Sequence, residues 1–130
     1  MVQCHGHYDL LHPGHIKQLK EASQLGRLFV TLTAGRFMTK PGHPIFTDEE
    51  RLEMILSLRF VEKAFLIQEA GFKQAIDLVK PDIYVKGKEY LRGYPEEEYC
   101  KEHGIEVRFI GEKIYGSTTI NDQTRLLRCS

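Results

Sequence analysis

"GHYDLLHPGH", residues 6–15, places three histidines and two glycines in ten positions. Before it, Val2–His5 is a short run that reads as a strand. After it, Pro13–Leu25 carries Ile16, Leu19, Ala22 and Ser23 at helical spacing and is closed by Gly26. The stretch is therefore a strand-to-helix turn. Proline is favoured at the first helical position, where its missing N–H costs nothing. That puts His12 at the N-cap, Gly14 at the second position and His15 at the third. Residues three apart share a helix face, so the two imidazoles can face one point. A helix N-terminus offers unpaired N–H groups and the positive end of the dipole, which suits phosphate. Gly14 has no side chain to keep an oxygen from the backbone. A metal site built from Cys4, His5, His7, His12 and His15 is the competing reading. Its spacing matches no zinc pattern, and His-Pro-Gly-His is poor geometry for two ligands on one ion.

Working outward, "LFVTLT" (Leu28–Thr33) is a second strand. Residues 34–46 carry Gly35, Pro41, Gly42 and Pro44 and read as a loop. Thr47 with Glu50 forms a capping box before a helix holding Leu52, Ile55, Leu56 and Phe60. Ala64–Ile67 is a third strand, Phe72–Val79 a helix, Ile83–Val85 a fourth strand, and Glu96–His103 a helix ended by Gly104. Ile105–Ile110 is a fifth strand, and "STTINDQTRLLR" opens a last helix. Strands alternating with helices predict an α/β fold, a five-stranded parallel sheet flanked by helices, as one domain over residues 1–130. Such sheets bind ligands beyond the carboxyl ends of their strands. The loops after the first, second, fourth and fifth strands should then share a rim holding His5–His15, Lys40, Lys86–Glu89 and Ser117–Thr119.

Bulk properties narrow the partners. The chain has 130 residues, with 18 Lys plus Arg against 18 Asp plus Glu. Zero net charge speaks against nucleic acid as a partner. The three cysteines, Cys4, Cys100 and Cys129, are widely spaced and form no disulfide framework, which predicts a reducing cytoplasm. No apolar run is long enough to cross a membrane, and no membrane contact is expected.

With these residues in view, the chain resembles the cytidylyltransferase-like nucleotidyltransferases. "GHYDLLHPGH" looks like their Gly-x-(Phe/Tyr)-Asp and His-x-Gly-His signature. "KPGHPIFTDEERLEMILSLRFVEK" resembles the lysine loop and arginine-bearing helix of glycerol-3-phosphate and ethanolamine-phosphate cytidylyltransferases. "KPDIYVKGKEY" looks most like the nucleotidyltransferase domain of ADP-heptose synthases, and "GSTTIN" resembles the Ser-Thr-Thr signature of both. The resemblance implies a Rossmann-like domain in which His12, His15, Lys40 and Arg51 are catalytic. It places His7, Tyr8, Pro13, Gly14, Lys86, Gly87, Glu89, Ser117, Thr118 and Thr119 against the nucleotide, with Asp9 as a structural brace. It implies no resident metal, Mg²⁺ arriving with the nucleotide, and a homodimer.

The implied reaction joins a nucleoside triphosphate, CTP or ATP, to a small phosphomonoester such as heptose 1-phosphate or glycerol 3-phosphate, with release of pyrophosphate. No nucleophilic side chain is required, and catalysis is positioning plus charge stabilisation. Glu112 stands where the family often has arginine, and the glycine of the last signature lies at position 116. Those departures motivate a second reading, a nucleotide-binding module that performs no transfer. A metal-binding protein is a third.

Overall fold

The computed structural model describes residues 1–87 and 95–110. Five strands, β1 (Val2–Gly6), β2 (Leu28–Thr33), β3 (Lys63–Ile67), β4 (Ile83–Gly87) and β5 (Glu106–Ile110), form one parallel sheet in the order β3-β2-β1-β4-β5. Four helices connect them: α1 (Pro13–Ser23), α2 (Asp48–Leu56), α3 (Lys73–Val79) and α4 (Pro95–Glu102). The order reverses between β1 and β4, which places a crevice at their carboxyl ends. The Rossmann-like α/β fold read from the sequence is the fold observed.

Because side chains alternate along a strand, the sheet has two distinct faces. Val2, Cys4, Leu28, Val30 and Leu32 join Leu19 and Ala22 of α1 and Ile55 of α2 in the main core. On the other face, Ile76 of α3, Tyr84 and Cys100 of α4 form a smaller core. Gln3 and Thr31 are fully buried on this second side. The Gln3 amide donates to Thr31 Oγ1 (2.9 Å) and to the Ala75 carbonyl of α3 (3.0 Å).

Element ends differ slightly from expectation, each for a local reason. Helix α1 stops at Ser23, and its last turn closes with the Gln24 amide donating to the Glu21 carbonyl. Helix α2 ends at Leu56, with the Ser57 hydroxyl on the Glu53 carbonyl, so Phe60 lies beyond it and Leu56 is exposed. Strand β4 runs on to Gly87, because it stays paired with β5 as far as Gly87↔Ile110. The Thr47–Glu50 capping box forms as read. The last helix, with Ser117, Thr118 and Thr119, lies outside the described residues, as do Lys88, Glu89, Glu112 and Gly116.

Candidate active site

The histidine turn builds its helix end from imidazoles. His12 is the N-cap of α1, and its Nδ1 accepts from the amides of Gly14 (3.1 Å) and His15 (3.4 Å). His15 returns the contact, its Nδ1 accepting from the His12 amide (3.3 Å). This is a capping box, ordinarily made by Ser or Thr with Glu or Gln, here made by two histidines whose rings stack 3.8 Å apart. Burial lowers the pKa of His12 and takes that of His15 to about 4. The neighbouring His12 adds to the fall at His15, and the Leu10 carbonyl opposes it. Both rings are neutral at pH 7, and with each Nδ1 accepting, the hydrogen sits on Nε2. The sequence reading left the first amides of the helix open for phosphate. The structure corrects this: His12 caps the amides of Gly14 and His15, so the imidazole Nε2–H groups are the donors this turn can offer.

Asp9 ties the turn to the loop before α2. Its carboxylate accepts from the amides of Ile45 (2.8 Å) and Phe46 (3.1 Å) and contacts His43 Nδ1 at 2.5 Å. Burial pushes the Asp9 carboxyl up, but the two amides and the imidazole outweigh it and hold the pKa below its usual value. Tyr8, buried and at a left-handed φ of 46°, turns its ring against the edge of His15 at 5.5 Å. Gly6 precedes this bend, and a Cβ there would meet the Tyr8 ring at 3.0 Å.

Arg51 lies beneath the site. It is 0% exposed, and its guanidinium donates to the carbonyls of His7 and Thr33 (each 2.8 Å) and pairs with Asp48 at 2.6 Å. Asp48 in turn accepts from the Gly35 amide (2.8 Å). The sequence reading put this side chain among the catalytic groups. In the structure it does not line the cavity but fixes the backbone after β1 and β2 that does.

A cavity of about 520 Å³ opens at the carboxyl end of the sheet. His7, Tyr8, His15, Lys40, Lys86 and Gly87 line it, while His12, Pro13 and Gly14 stand behind its wall. Gln18, one turn beyond His15 on α1, also lines it. Sequence reading passed over Gln18, although the three-residue step from His15 is the signal that finds it. The loops after β1, β2 and β4 thus share the expected rim, and the segment after β5 lies outside the described residues.

The second face of the sheet reaches the same rim. His5 Nδ1 lies 2.9 Å from Thr31 Oγ1, and its Nε2 lies 3.4 Å from Thr33 Oγ1. Burial brings the His5 pKa down to about 4, against the opposing charge of Glu96. Glu96 pairs with Lys86 at 2.9 Å and accepts from the Tyr84 hydroxyl at 2.6 Å. Sequence reading missed both the Lys86–Glu96 pair and the threonines, since their partners are distant in the chain. Burial drives the Cys4 thiol up to about 12, so it is no nucleophile. Among the described residues no group of three or more His, Cys, Asp or Glu is placed to hold a metal ion.

Comparisons with known proteins agree with this geometry. A cytidylyltransferase-like family model matches residues 4–125. FAD synthase of Aciduliprofundum boonei is 33% identical over 129 residues, covering 97% of this chain and 87% of that protein. The bifunctional protein HldE of Gluconobacter oxydans is 37% identical over 133 residues, but the chain spans only 27% of it. Among solved structures, a lipopolysaccharide core biosynthesis protein from Thermoplasma volcanium superposes with a TM-score of 0.70 at 33% identity, over 86% of this chain and 97% of that one. Pantothenate synthetase from Thermus thermophilus, at 15% identity and a TM-score of 0.61 over 98% of this chain and 66% of its own, shares the fold. A parallel sheet with its crevice at the strand reversal, a histidine-capped helix at that crevice and these relatives converge, and the chain belongs to the cytidylyltransferase-like family of nucleotidyltransferases.

Proposed function

We propose that the chain transfers an adenylyl or cytidylyl group from ATP or CTP to the phosphate of a small phosphomonoester. An oxygen of the acceptor phosphate attacks the α-phosphorus in line, the bond to the bridging oxygen breaks, and pyrophosphate leaves. ATP is the favoured donor, because the product in the name of the FAD synthase relatives contains an adenylyl group joined to a flavin phosphate. The observation that carries the reading is the imidazole capping box at the wall of the large cavity. It presents neutral N–H donors to oxygens whose charge grows in the transition state, in fixed positions that need no reorganisation. Lys40 and Lys86 line the same space and supply positive charge for the triphosphate. Arg51 and Asp9 act as positioning residues, holding the loops that carry these groups. Gly87 leaves backbone open to the nucleotide, and Glu89, Ser117, Thr118 and Thr119 complete the contacts the resemblance implies.

Mg²⁺, carried in on the triphosphate, neutralises its charge. Asp9 and Glu96 are already engaged with protein donors, so substrate and water would hold the ion. The reading takes residues 1–130 as one catalytic domain and, from the resemblance, as a cytoplasmic homodimer.

Calorimetry with ATP, CTP, GTP and UTP in Mg²⁺, followed by pyrophosphate release with candidate acceptors, tests it. One triphosphate should bind preferentially and release pyrophosphate only when an acceptor is present. His15→Ala should keep the fold and slow turnover by about 10²–10³, the loss typical of one such donor. Unchanged turnover in a folded His15→Ala protein would sink the assignment. Nucleotide binding with no release for any acceptor would select the non-enzymatic binding module instead.

A further inference from the structure

A second cavity of about 210 Å³ adjoins the first. The two share His5, Gly6, His7 and Lys86, but they look to opposite sides of the sheet. The large one is walled by α1 and the loop before α2, the small one by Ala70, Gly71 and Phe72 at the start of α3 and by Glu96 of α4. The family reaction needs two substrates whose phosphates meet, and the shared wall is where contents of the two cavities would touch. Lys86 stands at that junction, held by Glu96 at 2.9 Å. The large cavity has room for a nucleotide, and the small one falls below the roughly 300–1,000 Å³ typical of drug-sized ligands.

The lining of the small cavity is mostly polar. His5, Thr33, Lys86 and Glu96 offer donors and acceptors within one concave surface. Phe72 gives one apolar wall, fixed by an edge contact to Tyr99 at 5.6 Å. A chain of buried hydrogen bonds, Gln3 to Thr31 to His5, sets the His5 ring from behind. Buried polar groups reject a ligand that leaves them unpaired far more strongly than an apolar pocket rejects a mismatch.

We infer that the small cavity is the acceptor's subsite and that it takes a compact, hydroxyl-rich body, a sugar or polyol phosphate, rather than the tricyclic flavin that the FAD synthase relatives' name implies. The inference rests on the proposed transfer and deepens it. His5, Thr33 and Glu96 meet the acceptor hydroxyls, and Lys86 meets the phosphates where the two substrates join. His5 is a specificity-determining residue, positioned by Thr31.

The test is pyrophosphate release with ATP and three acceptors, glycerol 3-phosphate, a sugar 1-phosphate and FMN, together with ATP binding by calorimetry. Glycerol 3-phosphate or the sugar phosphate should support turnover and FMN should not. FMN turnover equal to or above both would overturn the inference while leaving the nucleotidyltransferase reading in place. Absence of ATP binding would overturn that reading and this inference with it. Ala70→Leu lines only the small cavity and should raise the acceptor KM about tenfold with ATP affinity unchanged. A variant that weakens ATP and leaves the acceptor KM alone would reverse the assignment of the two cavities.

Discussion

Val2, Cys4, Leu28, Val30 and Leu32 face α1 and α2, while Gln3, His5, Thr31 and Thr33, their neighbours on the same two strands, face α3 and α4. A parallel sheet covered on both sides usually shows continuous apolar runs. Here one face is apolar and the other carries a buried polar strip that ends at the substrate rim. Burying polar groups is tolerated only when they find partners, and Gln3, Thr31 and His5 find them in one another. The difference separates two tasks within three strands: one face supplies cohesion, the other places a side chain.

The largest effect should come where a charge enters the cohesive side. Arg51→Ala removes a buried guanidinium and strands two carbonyls and Asp48, which should cost about 3–5 kcal/mol in urea unfolding. A cost below about 1 kcal/mol would break the view that Arg51 is a buried brace. Next is pH. His5 and His15 titrate near 4 in the fold and near 6.5 when unfolded. Between those values the unfolded chain binds protons that the native one does not, so stability falls as pH drops from about 6.5 to about 4. Each imidazole contributes at most about 1.4 kcal/mol per pH unit there. Asp9, held low, adds a separate loss only below the ordinary carboxylate range, as pH falls through its folded value. Unfolding followed across pH should show that slope, and His5→Asn should remove about half of it. The smallest effect sharpens the comparison most. Gln3→Leu with Thr31→Val replaces both partners by apolar groups of similar shape and should change stability by less than about 1 kcal/mol. It should nevertheless raise the acceptor KM, because His5 loses its partner. A cost of several kcal/mol would mean that the polar strip holds the fold as the apolar face does.

Most of the architecture was legible because it is local. The alternation of "LFVTLT" with amphipathic stretches, the Thr47–Glu50 box and the Pro13 start all act within a few residues, and each forms as read. The histidine turn was legible for the same reason, down to His12 as N-cap. What was not legible depends on distance. The Arg51 guanidinium reads as a catalytic cation until the carbonyl of His7, 44 positions away, is seen beneath it. Glu96 gave no signal for Lys86, and nothing in "VQCH" says that Gln3 will meet Thr31. Pairings of this kind are set by sheet order and crossover, which sequence periodicity does not encode.

The imidazole cap also bears on how this position can change over evolutionary time. Asn, Ser or Asp at position 12 would cap the helix as well as histidine does, but none carries an Nε2–H to the far side of the ring. Other residues with a reach comparable to histidine would leave the Gly14 and His15 amides uncapped. A mutational scan should therefore find position 12 intolerant in two separable ways: a group of substitutions that fold normally and turn over poorly, and a second group that accumulates poorly in cells. Histidine is the one residue that satisfies both filters, so drift at this site is blocked from two directions at once.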